Sequence, residues 1–357
     1  MGEHGGNVLE MALNIGVNAD EIIDFSANIN PLGMPASLKT AIASRLELAE
    51  RYPDVEYREL HAALARAHGC PPAQIMAGNG ATGLIYAVVQ YLQPRRALLL
   101  TPGFAEYRRA LQRAGCAIDE YIMSAEDGFQ PDTRLLAALD KTHYDCLFIA
   151  TPNNPTGLMP DSSLLQAIVE RCHQRNTAPI VDEAFIDFLP GAPGLIPQLA
   201  AFPRLFILRS LTKFFAIPGL RLGYLLSADQ TAIQAMKQSQ EPWTINAFAA
   251  LAGEIMLNDT SYIAATYRWL AEAQRWLYRE LSAMPELHVW QPSANYIFLR
   301  CLHPEIPLQQ ALLEHRLLIR ACANYPGLTA SDYRVAIKSD VDNQRLVAAL
   351  HQVFGHG

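Results

Sequence analysis

Residues 207–224 read ILRSLTKFFAIPGLRLGY, and the chain is most simply understood as what surrounds them. The stretch opens in an apolar run, residues 205–208, long enough for one buried strand. Ser210, Thr212 and Lys213 follow, then Gly219, Arg221 and Gly223. Lys213 sits among Leu211, Phe214, Phe215 and Ile217. Burial penalises an ammonium and lowers its pKa, which is what an amine needs to act as a nucleophile. Arg221 brings a planar fork of donors suited to phosphate or carboxylate, and Ser210 a hydroxyl for the same anion. Taken alone, the lysine also fits a plainer role: it ends a strand and reaches to solvent, with Arg221 on a surface turn.

Outward from this stretch, apolar runs of strand length alternate with helical patterns between residues 74 and about 227. That alternation predicts an α/β domain around a mostly parallel sheet. Strands are expected at 75–77, 96–101, 117–122, 146–151, 178–182, 204–209 and 223–227, with an amphipathic helix at 162–175. Residues 1–33 read as an arm, with glycines at 5 and 6, a short helix at 8–15, a strand at 22–25 and a turn-rich loop at 26–33. A disordered tail and a lid over a site both fit that composition. Residues 34–50 and 57–67 each read as a helix. Near 240 the alternation stops. A helical segment, 245–283, breaks at Asn258–Asp259, and an α+β remainder has strands at 287–290, 295–300 and 333–336 and helices at 308–315 and 342–353. The expected partition is an arm (1–33), a large domain (34–240) and a smaller α+β C-terminal domain (241–357).

Composition narrows the function. Half of the 357 residues are hydrophobic and 18% are charged, the balance of an ordinary soluble globular protein. No apolar run approaches the ~18 residues that would suggest a membrane span. No basic segment followed by an apolar one opens the chain, so no signal peptide is expected. The net charge of −7 is spread without blocks, which argues against nucleic acid as partner. The six cysteines form no C-x-x-C pair and the ten histidines no H-x3-H pair. Neither a metal site nor a disulfide framework is expected, and the compartment expected is a reducing cytoplasm.

Four further segments carry chemistry-bearing residues. Gly78-Asn79-Gly80-Ala81-Thr82-Gly83 lies between an expected strand and an expected helix at 84–91, which formally matches a dinucleotide fingerprint. The next strand, 96–101, ends without the acidic residue that would bind a ribose, so the dinucleotide reading is set aside; glycine-bounded N–H groups at a helix N-terminus can hold a phosphate, which the motif alone leaves open. Residues 151–157, TPNNPTG, form a fixed turn that presents Asn154. Asp182 ends the apolar run 178–181; a buried carboxylate needs a cationic partner, although a helix N-cap would also explain it. Glu183 points the other way along the strand. Phe104, in TPGFAEY at 101–107, is an aromatic that could stack on a flat ligand or simply fill core, with Tyr107 a second choice. Arg320 and Arg334 follow apolar or strand-like residues in the C-terminal part, and each could clamp a carboxylate or make a surface ion pair.

Taken together, Ser210, Lys213, Arg221 and Gly223 in their spacing resemble the cofactor-lysine segment of the fold-type I pyridoxal-phosphate enzymes, the aspartate aminotransferase superfamily. The resemblance implies a Schiff base between Lys213 and pyridoxal 5'-phosphate. It implies Gly80, Ala81, Thr82, Ser210 and Arg221 on the cofactor phosphate, Asn154 at the phenolic oxygen, Asp182 at the ring nitrogen and Phe104 against the ring. It also implies Arg334 on the substrate carboxylate. One residue departs: Phe185 stands where many aminotransferases of the superfamily carry tyrosine.

Segments from end to end resemble one subgroup, the L-threonine-O-3-phosphate decarboxylases of cobalamin biosynthesis, which are close to histidinol-phosphate aminotransferase. They are His4-Gly5-Gly6-Asn7, residues 24–33 (DFSANINPLG), Arg51-Tyr52-Pro53, residues 101–107, residues 182–188, the lysine segment and residues 323–328. This resemblance implies decarboxylation of L-threonine O-3-phosphate to (R)-1-amino-2-propanol O-2-phosphate, with Lys213 as catalytic residue. It implies His4, Asn28, Asn154, Arg320 and, from a neighbouring subunit, Tyr52 around the substrate, hence a homodimer with a shared site. Transamination of histidinol phosphate is the alternative, and serine phosphate differs from the expected substrate by one methyl group.

Overall fold

The computed structural model describes residues 5–355. The arm contributes β1 (Ile23–Asp24). Seven strands follow: β2 (Ile75–Asn79), β3 (Arg96–Thr101), β4 (Ala117–Ile122), β5 (Cys146–Ala150), β6 (Ala178–Asp182), β7 (Phe206–Ser210) and β8 (Leu222–Leu226). They form one sheet in the order β2-β8-β7-β6-β5-β3-β4, in which β8 alone runs antiparallel to its neighbours. The inner strands CLFIA, APIVD and FILRS are buried along their whole length. Near-continuous apolar runs suit strands covered on both faces. Alternate side chains feed two cores. Leu147, Ile149, Val181 and Ile207 face one with the helix Ser162–Gln174, and Phe148, Ile180 and Leu208 face the other with the helices Gly80–Leu92 and Ala105–Arg113.

After residue 240 come β9 (Leu287–Val289), β10 (Tyr296–Cys301), β11 (Leu317–Leu318), β12 (Arg320–Ala321) and β13 (Asp332–Ala336). β12, β13, β10 and β9 make a four-stranded antiparallel sheet in that order. The helix Thr260–Ser282 turns Leu270, Ala273, Leu277 and Leu281 into the same contiguous core that receives Ile207 and Leu222. One core thus runs across position 240. No helix among the described residues is long and apolar enough to cross a membrane.

The segment 25–30 is threaded through the interior rather than laid over it: Phe25, Ser26, Asn28 and Asn30 are all buried. β1 pairs in parallel with β11, the Phe25 N–H donates to the Leu318 carbonyl, and the Ala336 N–H donates to the Phe25 carbonyl. Asn30 grips the lysine segment. Its backbone N–H donates to the Lys213 carbonyl at 3.1 Å, and its side-chain amide donates to the Phe214 carbonyl and the Thr266 hydroxyl, both at 2.8 Å.

Two expected elements differ. Instead of one helix over 34–50 there is a helix Ala36–Ala43 and a separate 3₁₀ turn Leu46–Glu50. The Ser44 hydroxyl donates back to the Ala41 carbonyl and Arg45 leaves the helical region with φ −137°, so local side-chain bonding ends the helix early. The helix expected at 84–91 begins at Gly80, whose φ of +72° makes the sharp entry that a β-carbon would resist. The break at Asn258–Asp259 has a clear cause: Asp259 caps the following helix by accepting from the Tyr262 N–H.

Asn30→Ala would remove the amide that donates to the buried Thr266 hydroxyl and to the Phe214 carbonyl, the carbonyl keeping the Tyr262 hydroxyl as a second donor, at about 1–3 kcal/mol in all. The expected outcome is a loss of about 1–3 kcal/mol in urea unfolding of the cofactor-free chain; a loss below about 0.5 kcal/mol would mean the arm is not a structural tie.

Candidate active site

The carboxyl ends of β3, β5, β6 and β7 lie along one edge of the sheet, and the loops that leave them enclose a cavity, the usual place for a ligand in such folds. Ala81, Thr82, Phe104, Tyr107, Asn154, Asp182, Phe185 and Lys213 line it. Lys213 follows β7 by three residues. Its ammonium donates to the Ser210 hydroxyl at 3.0 Å and lies 5.7 Å from the Phe185 ring centre. Burial pulls its pKa down to about 8; the Asp182 charge opposes that shift and Arg221 adds to it.

Asp182 closes β6 inside the cavity, and burial raises its carboxyl pKa. One carboxylate oxygen accepts from the Ala184 N–H at 2.9 Å and the other from the Tyr107 hydroxyl at 2.6 Å. Glu183 turns away from the cavity. It accepts from Arg209 Nε at 2.8 Å and from the Leu195 N–H at 2.7 Å, while Arg209 also donates to Asp187 at 2.9 Å. This buried cluster fastens the end of β6 to the end of β7, one residue away from both Asp182 and Ser210.

The glycine turn and Arg221 form a cradle beside Lys213. A β-carbon on Gly80 would stand 2.5 Å from Arg221 Nη2, so only glycine lets the guanidinium lie against the start of the helix. A β-carbon on Gly223 would stand 2.5 Å from the Ala81 nitrogen, so that glycine lets the helix start sit directly on β8. Arg221 holds a left-handed backbone, φ +63°, and its guanidinium donates to the Pro218 carbonyl while staying exposed. Ser210 and Thr212 hydroxyls lie 2.9 Å apart on the lysine side.

Above the cavity, the 151–157 turn is fixed by Asn153, which donates to the Pro102 carbonyl and the Thr156 hydroxyl and accepts from the Tyr296 hydroxyl through its own carbonyl. Asn154, beside it, accepts from Arg334 Nη1. Arg334 Nη2 donates to the Ser26 carbonyl at 2.6 Å, and the buried Nε makes no hydrogen bond among the described residues. Arg320 pairs directly with Arg334 across β12 and β13, so two buried guanidinium side chains leave one face of the sheet side by side. Arg320 also donates to Asn324 at 2.9 Å and lies over the Tyr325 ring. Like charges this close repel unless an anion lies between or near them.

The remaining expected residues are placed unevenly. Asn28 is buried in the arm, its side-chain oxygen without a hydrogen bond among the described residues and its carbonyl accepting from Asn295. Tyr52 is 77% exposed and stacks on Trp243 at 4.3 Å, so this chain's own fold does not bring it to the cavity. His4 lies outside the described residues; the glycine after it packs so tightly that a β-carbon would stand 2.2 Å from the Ser26 carbonyl oxygen. Sequence reasoning offered Tyr107 as a stacking ring. Its ring stacks on Phe148 instead, edge-on to Phe104, and its hydroxyl is what points to the site. Sequence reasoning also passed over the Ser26 carbonyl, Asn30 and Arg209. Only Arg209 left a signal, a charged residue inside an otherwise apolar strand.

Against known proteins, residues 20–350 match the family model described as aminotransferase class I and II. The chain belongs to that family. Within it, this chain is 52% identical to the threonine-phosphate decarboxylase of Salmonella typhimurium, over 98% of this chain and 96% of the relative. It is 29% identical to an adenosylcobalamin biosynthesis bifunctional protein of Leptospira interrogans, over 99% of this chain but 41% of that longer protein. Among solved structures, the histidinol-phosphate aminotransferase of Clostridium acetobutylicum superposes with a TM-score of 0.86 at 29% identity, covering 93% of this chain and 99% of that one. The fold is therefore the fold-type I, aminotransferase-like α/β fold of the family.

Because the folded chain binds the Lys213 proton less tightly than an ordinary lysine with its pKa of 10.5, it releases the proton near pH 8 while the unfolded chain keeps it. Stability of the cofactor-free chain should therefore rise between about pH 8 and 10.5. The rate at which a carbonyl reagent labels Lys213 should be half-maximal near pH 8. In Asp182→Asn, which removes the charge that favours the ammonium, the midpoint should move lower still; an upward move would refute the assignment of the opposing charge.

Proposed function

We propose that this chain binds pyridoxal 5'-phosphate and uses it to decarboxylate L-threonine O-3-phosphate to (R)-1-amino-2-propanol O-2-phosphate, in formation of the cobalamin side chain. The residues fit the cofactor on three observations. Gly80 and Arg221 make a cationic cradle at a helix N-terminus, suited to a phosphate. Asp182 uses one lone pair on each oxygen for Ala184 and Tyr107, and a carboxylate has about four, so it can still accept from a ring N–H. Lys213 presents an amine of lowered pKa between them. On this reading Gly80, Ala81, Thr82, Ser210 and Arg221 hold the cofactor phosphate. Asn154 meets the phenolic oxygen, Asp182 the ring nitrogen, Phe104 one ring face and Lys213 the aldehyde carbon. The cofactor supplies an electron sink conjugated to the substrate α-carbon.

The observation that carries the choice of substrate is the pair of buried guanidinium groups, Arg320 and Arg334, side by side on β12 and β13. A substrate with two anions, a carboxylate and a phosphate, satisfies both. Arg334, already bonded to Asn154, orients the carboxylate; Arg320, with Asn28, His4 and the neighbouring subunit's copy of Tyr52, receives the phosphate. Holding both ends of a short amino acid would fix which bond at the α-carbon is presented for cleavage, and so which reaction the residues favour. Lys213, whose lowered pKa of about 8 leaves it protonated yet a better acid than an ordinary lysine at neutral pH, can then give a proton to the α-carbon. Phe185 leaves Asn154 as the side-chain donor at the phenolic oxygen, unlike aminotransferases that carry tyrosine there. The exposed Tyr52–Trp243 stack fits the surface of a homodimer that shares its sites. The 52% identical threonine-phosphate decarboxylase supports the same reading.

Purified protein given pyridoxal phosphate and L-threonine O-3-phosphate, with no keto acid, should release CO2 and the amine phosphate in equal amounts. Turnover only when 2-oxoglutarate and histidinol phosphate are supplied would make it an aminotransferase. Lys213→Ala should abolish both turnover and the visible absorbance of the bound cofactor. Arg334→Ala should raise KM for threonine phosphate by roughly 10–100-fold, since it removes a charge-assisted pair of about 1.5–3 kcal/mol. An unchanged KM would remove Arg334 from the site.

A further inference from the structure

Among the described residues that line the cavity, Tyr107 is the buried polar side chain that the proposed chemistry leaves without a task. It is 3% exposed, its ring is clamped between the stacked Phe148 (4.9 Å, 18°) and the edge-on Phe104 (5.7 Å, 81°), and its hydroxyl has one recorded acceptor, Asp182, at 2.6 Å. The packing leaves the ring little freedom, so the hydroxyl is aimed by the core and not by the bond itself. Asp182 therefore meets a charge-assisted donor of fixed direction, short even for a hydroxyl on a carboxylate. The other Asp182 oxygen is served by the backbone N–H of Ala184, which no substitution at 184 except proline would remove.

We propose that Tyr107 is a positioning residue that keeps Asp182 ionised, so that the proton shared between this carboxylate and the cofactor's ring nitrogen stays on the nitrogen. The inference rests on the pyridoxal-phosphate reading above and adds to it a residue for the strength of the electron sink. The physical reasoning is a competition. Burial alone favours the neutral carboxyl, and burial is nearly complete for Asp182. Two donors on the carboxylate oppose that preference, because each binds the ionised form better than the neutral one. Take one away and the balance moves toward a protonated Asp182 and an uncharged ring nitrogen, which draws electrons from the α-carbon less strongly. Phe185 sharpens the need. With no phenol at 185, no hydroxyl on that residue polarises the opposite end of the ring, and more of the electron demand falls on the nitrogen end.

Tyr107→Phe removes only the hydroxyl and keeps the packed ring, so the chain should fold, with the unfolding midpoint of the cofactor-free protein as the check. Both proteins are loaded with pyridoxal phosphate carrying ¹⁵N in the ring, and the nitrogen chemical shift reports where the proton sits. In the wild type the signal should be that of a protonated ring nitrogen; in Tyr107→Phe it should move toward the unprotonated position. The dissociation constant for pyridoxal phosphate should rise roughly tenfold, as expected for one lost hydrogen bond to a charged group. In an Asp182→Asn background the same removal of the hydroxyl should change that constant less than about twofold, because there is no longer a charge to support. Equal nitrogen shifts in wild type and Tyr107→Phe overturn the proposal, as does an undiminished effect in the Asp182→Asn background. A wild type that takes up no cofactor at all overturns the underlying reading instead, so the two failures are told apart.

Discussion

A lysine ammonium held in a cavity with Phe104, Tyr107 and Phe185 is costly unless its surroundings are arranged around it, and most of the molecule can be traced to that arrangement. The parallel strands deliver Asp182 as its nearest counter-charge and Ser210 as its acceptor from adjacent strand ends. The Arg209–Glu183–Asp187 cluster then prevents those ends from sliding. A buried ion pair of this kind adds little net stability over apolar side chains of the same shape, so its value here lies in fixing one register. The lowered proton affinity of Lys213 follows first from its burial in the fold, with the Arg221 charge adding to it.

Much of this was legible in the sequence, and the reason is physical. Inner strands of a parallel sheet are buried on both faces, so CLFIA, APIVD and FILRS stand out as apolar runs with abrupt polar ends, and those ends are where Asp182 and Ser210 sit. Lys213 and Asn154 each follow a strand within a few residues, so local pattern places them at strand ends, while the roles expected of them and of Arg221 come from the resemblance. Helices were harder where side-chain bonds override periodicity: the hydroxyl of Ser44 ends what looked like one long helix.

What the sequence could not offer were contacts made across the fold. Tyr107 reads as one more aromatic in TPGFAEY, and only the packing of Phe148 beneath it turns its hydroxyl to Asp182. Arg320 and Arg334 are fourteen positions apart in a region of weak strand signals. Their direct pairing on β12 and β13 depends on a register that hydrophobic alternation does not specify in a two-residue strand. Tyr52 marks the other limit: within its own chain it is only an exposed ring stacked on Trp243.

The threaded arm has a consequence for the way the molecule is made. Asn30 reaches Phe214, 184 positions on, and Thr266, 236 positions on, while the Ser26 carbonyl waits for Arg334, 308 positions away. Closing such long loops costs only slightly more than closing short ones, because the entropy grows with the logarithm of length. The delay is in time. On a ribosome adding ~5–20 residues each second, the arm leaves the tunnel first, yet its last partner is translated roughly 15–60 seconds later. A nascent chain can therefore complete its seven-stranded sheet, with the lysine loop already made, well before Arg334 can reach the Ser26 carbonyl, and the arm's early apolar residues must be kept from other partners until that strand arrives.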